Sequence, residues 1–198
     1  MSTQDYGWSE AAPHSCGYIA PKIKMLVDGY RPHSVLDLGC GNGELLKILA
    51  APERTVVGVE YDRGGAEIAQ RSNPGALVFN LGVQDDPAPV LASQPDKFDV
   101  VVSTEVIEHL YSPALLPRFA ARVLKRGGYS LSARPITGTS RIWRFRWRTS
   151  GTTITRPSGM AVTSSSGAGA RCRNCCVGRA SRCVNSTASA DCRICGKA

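Results

Sequence analysis

The sequence predicts an α/β fold, an open sheet with a ligand crevice at its strand ends, and three stretches predict it. The first is Val35-Leu36-Asp37-Leu38-Gly39-Cys40-Gly41-Asn42-Gly43, a short apolar strand that runs straight into a glycine-rich turn. Glu44-Leu45-Leu46-Lys47-Ile48-Leu49 follows with its apolar positions at helical spacing. The second is Thr55-Val56-Val57-Gly58-Val59-Glu60, a β-branched run ending in an acid. The third is Phe98-Asp99-Val100-Val101-Val102-Ser103-Thr104-Glu105-Val106-Ile107-Glu108-His109-Leu110, which reads as a buried strand passing into a helix, its end facing the same crevice.

The turn carries the first chemical information. Gly39, Gly41 and Gly43 permit close approaches that a Cβ would block, so a ligand can lie against the main chain where the strand ends. Their spacing is not the G-x-G-x-x-G of dinucleotide sites, and the G-K-[ST] of a phosphate-binding loop is missing, which argues against a triphosphate. Glu60 lies about twenty residues past the glycines, where an acid at a strand end accepts hydrogen bonds from both ribose hydroxyls. A ribose without a phosphate partner is the expected ligand part.

Taken together, V-L-D-L-G-C-G-N-G, V-V-G-V-E-Y-D, F-D-V-V-V-S-T-E-V-I-E-H-L and V-L-K-R-G-G-Y resemble the class I S-adenosylmethionine-dependent methyltransferases, nearest the branch of the ubiquinone-biosynthesis O-methyltransferases. The likeness runs from about Tyr6 to Tyr129. It implies a Rossmann-like sheet and S-adenosyl-L-methionine as cofactor. Asp37 and the turn Gly39, Cys40, Gly41, Asn42 and Gly43 would face the methionine part, and Glu60 would hold the ribose. Tyr61 and Asp62 would border the adenosine, Val83 and Gln84 would lie near the adenine, and Ser103 would complete the cofactor site. The run Asn80-Leu81-Gly82-Val83-Gln84-Asp85-Asp86 departs from the family, which often has an acid after its third strand. The implied reaction passes a methyl group to a small-molecule acceptor, possible identities including a quinone or phenol.

The helix expected after the third stretch would carry Glu105, Glu108 and His109 at i, i+3 and i+4, on one face. Such a set could bind a divalent ion or move a proton, and ordinary capping and solvation is the competing reading. His109 and Glu108 are the catalytic candidates; no metal is assigned. Cys40 reads as a small filler with no redox role. Tyr6, Trp8 and His14 could line a lid over the acceptor, or simply pack on the surface.

Composition divides the 198 residues in two. Residues 1–129 hold 12 Lys+Arg against 15 Asp+Glu, a net of −3, whereas residues 130–198 hold 12 against 1, a net of +11. No run approaches the roughly 18 apolar residues of a membrane span, and a cytoplasmic enzyme is expected. The reading is therefore a methyltransferase domain over 1–129, its sheet truncated after about the fifth strand, and a disordered tail over 130–198.

The tail also holds six of the eight cysteines. Cys172-x2-Cys175 and Cys192-x2-Cys195 match a zinc-ribbon spacing. Arg144, Arg146 and Arg148 alternate with Trp143, Phe145 and Trp147 as in a nucleic-acid patch. A frame-shifted translation accounts for all of this. When reading moves by one base, every Cys, Trp and Phe codon, which starts with T, supplies T as a middle base and decodes to an apolar residue. In that register the segment regains a strand, an amphipathic helix ending at a glycine, and another strand. Neither zinc nor a specific nucleic acid is then a partner. The alternative is a non-catalytic protein that binds cofactor, zinc or nucleic acid through the same features.

Overall fold

The computed structural model describes residues 7–136, 139–146 and 160–163, all within one compact unit, Met1–Ser164. Helix α1 (Cys16–Tyr30) precedes strand β1 (Ser34–Leu38), helix α2 (Glu44–Leu49), strand β2 (Thr55–Glu60), helix α3 (Arg63–Ser72) and strand β3 (Leu77–Asn80). Helix α4 (Ala88–Ser93), strand β4 (Phe98–Thr104), a 3-10 turn (Ile107–His109) and helix α5 (Leu115–Val123) follow. Strands β5 (Leu124–Ile136), β6 (Thr139–Arg146) and β7 (Met160–Thr163) complete the order.

The described strands form one sheet in the order β3-β2-β1-β4-β5-β6-β7. The first five are parallel, with Val35 opposite both Val56 and Val100. Every residue of β1 is buried, because helices cover both faces of a parallel sheet, which is why such strands read as unbroken apolar runs. On one face α1 seats Ile19, Ile23 and Val27 against Val35, Val100 and Val102. On the other, α4 and α5 place Val90, Phe119 and Val123 on Leu36, Val57 and Phe98. The strand order reverses between β1 and β4, and the crevice outside the carboxyl ends of such a pair is where open α/β sheets bind ligands.

A polar staple fixes the other end of these strands. The Asp99 carboxylate accepts from the backbone N–H groups of His33 (2.9 Å) and Ser34 (3.0 Å) and pairs with Lys125 at 2.9 Å. It thereby joins the starts of β1, β4 and β5.

Two expectations are corrected. The sheet does not stop near Tyr129: β5 continues to Ile136 and β6 returns antiparallel, Ala133 opposite Ile142 and Tyr129 opposite Arg146. Leu131, Ala133 and Ile142 alternate inward and are buried on the α1 face, a period-two pattern strong enough to hold a strand despite the polar text around it. Alternation also separates the arginines from the aromatics. Arg144 donates to the Tyr30 hydroxyl at 3.1 Å. Arg146 sits 5.5 Å from the Tyr129 ring centroid, and Tyr129 stacks on Tyr30 at 4.1 Å.

The second correction concerns residues 105–110. Glu105 adopts a left-handed backbone, φ 56°, which no α-helix tolerates, and only the three-residue turn Ile107–His109 follows. Glu105, Glu108 and His109 therefore do not share a helical face. Trp147, Arg148, the tail cysteines and most of the expected disordered tail lie outside the described residues, as does Tyr6. Among the described residues no helix is long and apolar enough to cross a membrane.

Candidate functional site

A cavity of about 800 Å³ opens at the carboxyl ends of β1, β2 and β4. Its floor is the turn after β1. Gly39 and Gly41 have φ of +81° and +54°, and a Cβ on Gly39 would run into the Val106 side chain, so both positions need glycine. Gly43 serves a different end: its Cβ would meet Asn73 Nδ2 at 2.5 Å and the Ala69 backbone at 2.9 Å, and it does not line the cavity. Its smallness lets α3 close on the turn.

Glu60, at the end of β2, is buried against this turn. One carboxylate oxygen accepts from Gly41 N–H at 2.8 Å and the other from Asp62 N–H at 2.8 Å. Burial raises its pKa, and these backbone bonds oppose the rise. Each oxygen keeps lone-pair capacity for a further donor. Asp62 itself faces away, capping α3 by accepting from Gly65 N–H at 2.7 Å.

Asp37 is the most constrained group. It is 1% exposed, and neither carboxylate oxygen has a hydrogen-bond partner among the described residues. Burial, with repulsion from Glu60 added, pushes it up to about 7. A buried carboxylate without partners is costly unless a cation or donor comes to it. Burial, then Asp37 and Glu60, also lift the Cys40 thiol, so it stays protonated. It packs with Leu46, Val56 and Ala69 in the role of filler.

The remaining wall is drawn from several elements. Leu81, Gly82, Val83 and Gln84 follow β3, Thr104 ends β4, and Glu105, Val106 and His109 come after it. Asn80 secures the first group by donating to the carbonyls of Glu60 (2.9 Å) and Tyr61 (2.8 Å). Four carboxylates, Asp37, Glu44, Glu60 and Glu105, line the cavity, and among the described lining residues there is no lysine or arginine.

Of the residues singled out in the sequence, Asp37, Gly39, Cys40, Gly41, Asn42, Glu60, Tyr61, Val83, Gln84, Glu105 and His109 meet at this cavity. Gly43, Asp62, Ser103 and Glu108 do not line it; Ser103 is buried within β4 with its hydroxyl unpaired. No group of three His, Cys, Asp or Glu side chains suited to a metal occurs among the described residues. Cys16, Ile19, Glu44 and Tyr111 also line the wall and carry no local sequence signal. Trp8 also lines the cavity, its ring lying against Gly41 and Gly65 on the turn itself. His14 is exposed and off the cavity.

A family described as a methyltransferase domain matches residues 36–132. The ubiquinone biosynthesis O-methyltransferase of Albidiferax ferrireducens is 36% identical over 96 residues, covering 48% of this chain and 38% of that protein. The plantazolicin methyltransferase BpumL, solved with a monoazolic desmethylPZN analog and SAH, superposes with a TM-score of 0.52 at 16% identity, covering 60% of this chain and 48% of that one. The YcgJ protein of Bacillus subtilis gives a TM-score of 0.51 at 21% identity, covering 59% and 50%. The chain spans less than half the length of the curated relatives it matches. With the sheet order, the glycine turn and the acid at the end of β2, these likenesses identify residues 36–132 as a class I methyltransferase domain near the ubiquinone-biosynthesis O-methyltransferase branch.

Proposed function

We propose that this domain binds S-adenosyl-L-methionine in the acid-lined cavity and methylates a hydroxyl of a small quinone- or phenol-like acceptor. The observation that carries the reading is the lining: four carboxylates and, among the described residues, no lysine or arginine around one crevice. Such a lining repels phosphates and favours a ligand bearing a sulfonium and an ammonium. When bound, the cofactor supplies a methyl group on a sulfonium that is already a good leaving group.

The chain's own residues bind, orient and exclude water. Glu60 accepts from ribose hydroxyls with the lone pairs its two backbone bonds leave free, while Gly41 holds that carboxylate in place through its N–H. Asp37, unpaired in the buried floor, offers its charge to the cationic end. Tyr61, Val83 and Gln84 border the base. His109, in the cavity wall after β4, takes the proton of the acceptor hydroxyl, and in-line transfer then needs little beyond near-attack positioning. Glu108 has no part, because it does not reach the cavity.

Calorimetric titration with S-adenosylhomocysteine tests the reading. Native protein should bind in the micromolar range, and Glu60→Gln, which puts an amide where a charged acceptor stood, should bind at least tenfold more weakly, a charge-assisted bond contributing about 1.5–3 kcal/mol. Equal affinity in the two proteins would remove Glu60 from the site.

The reading extends to the tail. Residues 130–198 are a frame-shifted translation of the family's closing segment, a one-base deletion near the codons for Tyr129 and Ser130 being the simplest cause. The net charge of +11 and the clustered cysteines support it. This chain is therefore impaired relative to its unshifted parent. Resequencing across the codons for Gly127 to Ser132, then restoring the base, should yield a more active and more soluble protein. One zinc held per chain through Cys172, Cys175, Cys192 and Cys195 would overturn this part.

A further inference from the structure

The segment before α1 crosses the cofactor turn without helix or strand, yet it is held at defined points. Asn42, 4% exposed in the middle of the turn, donates from its side-chain nitrogen to the carbonyls of Ser9 (2.9 Å) and Ala11 (2.7 Å). Its side-chain oxygen accepts from Glu44 N–H at 3.3 Å. One buried amide thus joins the strap to the turn and to the start of α2.

Trp8 is the second point of attachment. A Cβ on Gly41 would lie 2.5 Å from Trp8 Cη2, and one on Gly65 would lie 2.8 Å from Trp8 Cδ1. The indole is therefore wedged between the turn after β1 and the first turn of α3, where Gly65 also neighbours the Glu60 side chain, and it lines the cavity. Its Nε1–H is buried and has no hydrogen-bond acceptor among the described residues. An indole N–H in that condition is an unmet donor at the edge of a ligand site. Around these two attachments Ser9, Glu10, Ala11 and Ala12 are exposed.

We propose that residues 7–13 form a lid on the cofactor cradle, with Trp8 as its contact to the sugar region and Asn42 as the latch that holds it shut. The proposal rests on the cofactor reading above and adds two roles to it. Trp8 touches the bound nucleoside and is specificity-determining for its ribose end. Asn42 is a positioning residue: it acts on the ligand through the strap. Because the latch belongs to the same turn that the ligand lies against, occupancy of the cradle and closure of the strap stabilise each other.

The test uses the full chain with Trp143 and Trp147 replaced by phenylalanine, so that Trp8 is the sole indole. S-adenosylhomocysteine is titrated by calorimetry and, in parallel, by Trp8 emission. Cleavage after the exposed Glu10 by a Glu-specific protease is followed with and without ligand, the fragments being assigned by mass. The expected result is a saturable emission change with the calorimetric affinity, and cleavage at Glu10 slowed severalfold by ligand. Trp8→Ala should weaken binding about tenfold. Asn42→Ala should speed ligand dissociation and abolish the protection of Glu10. Trp8→Ala, altered on an exposed strap, keeps the test decisive should Asn42→Ala fail to fold. Calorimetric binding without an emission change or protection at Glu10 would overturn the lid and leave the cofactor reading standing. No calorimetric binding at all would overturn both.

Discussion

At the scale of single residues, Asp37 makes the sharpest claim. Its carboxylate sits at about 7 in the folded protein against an ordinary 3.8. A raised acid costs nothing below the ordinary value and progressively destabilises the fold as pH rises from there to about 7. Asp37→Asn should therefore stabilise the ligand-free protein above pH 7 by up to about 4 kcal/mol, at roughly 1.4 kcal/mol per pH unit. Denaturant melts across that range would register it. The same substitution should weaken S-adenosylhomocysteine binding and flatten its pH dependence. In the native protein the incoming ammonium lowers the Asp37 pKa, so affinity should rise as pH climbs toward about 7 and level off above it, with proton release seen as a buffer-dependent heat. His109 offers the complementary prediction. His109→Ala should slow turnover about tenfold to a hundredfold while cofactor affinity holds; full turnover in that variant would remove its assigned role.

At the scale of elements, what the sequence made legible depended on burial and range. Strands β1, β2 and β4 were readable because both their faces are covered, leaving largely apolar text up to Leu38, Glu60 and Thr104. The turn was readable because Gly39 and Gly41 need positive φ. The helix expected after β4 was not to be had from spacing: Val106, Ile107 and Leu110 repeat at a helical period, but Glu105 in a left-handed backbone breaks the register. The seat of Trp8 on the cofactor turn was not legible, since nothing local ties it to a turn more than thirty residues away. The β5–β6 hairpin was obscured by its polar and basic outward positions, although Leu131, Ala133 and Ile142 carry the inward pattern. Leu131→Ala should cost about 2–5 kcal/mol, measured by denaturant unfolding, because Leu131 is fully buried on the α1 face. A loss below about half a kcal/mol, the range of surface substitutions, would mean that the hairpin does not pack there. Asp99 adds a pH signature to the same region. Burial tends to raise this carboxyl, and Lys125 with the β1 backbone donors outweighs it, so its pKa is lowered overall. Its contribution is present above the ordinary acid range and is lost as pH falls through that lowered value; Asp99→Asn should remove this acid-side loss.

At the scale of the whole molecule, sheet order, the reversal between β1 and β4, and the acids gathered at that point describe one cofactor cradle. The sign of the lining is the central claim, because class I folds can host very different nucleotides. Titration of the unmodified protein with S-adenosyl-L-methionine and, separately, with ATP tests it most directly. The account predicts saturable micromolar binding of the first, insensitive to a chelator, and no detectable binding of the second, whose phosphates would meet Asp37, Glu44, Glu60 and Glu105. ATP binding as tight as S-adenosyl-L-methionine, or no binding of S-adenosyl-L-methionine by the folded protein, would contradict it.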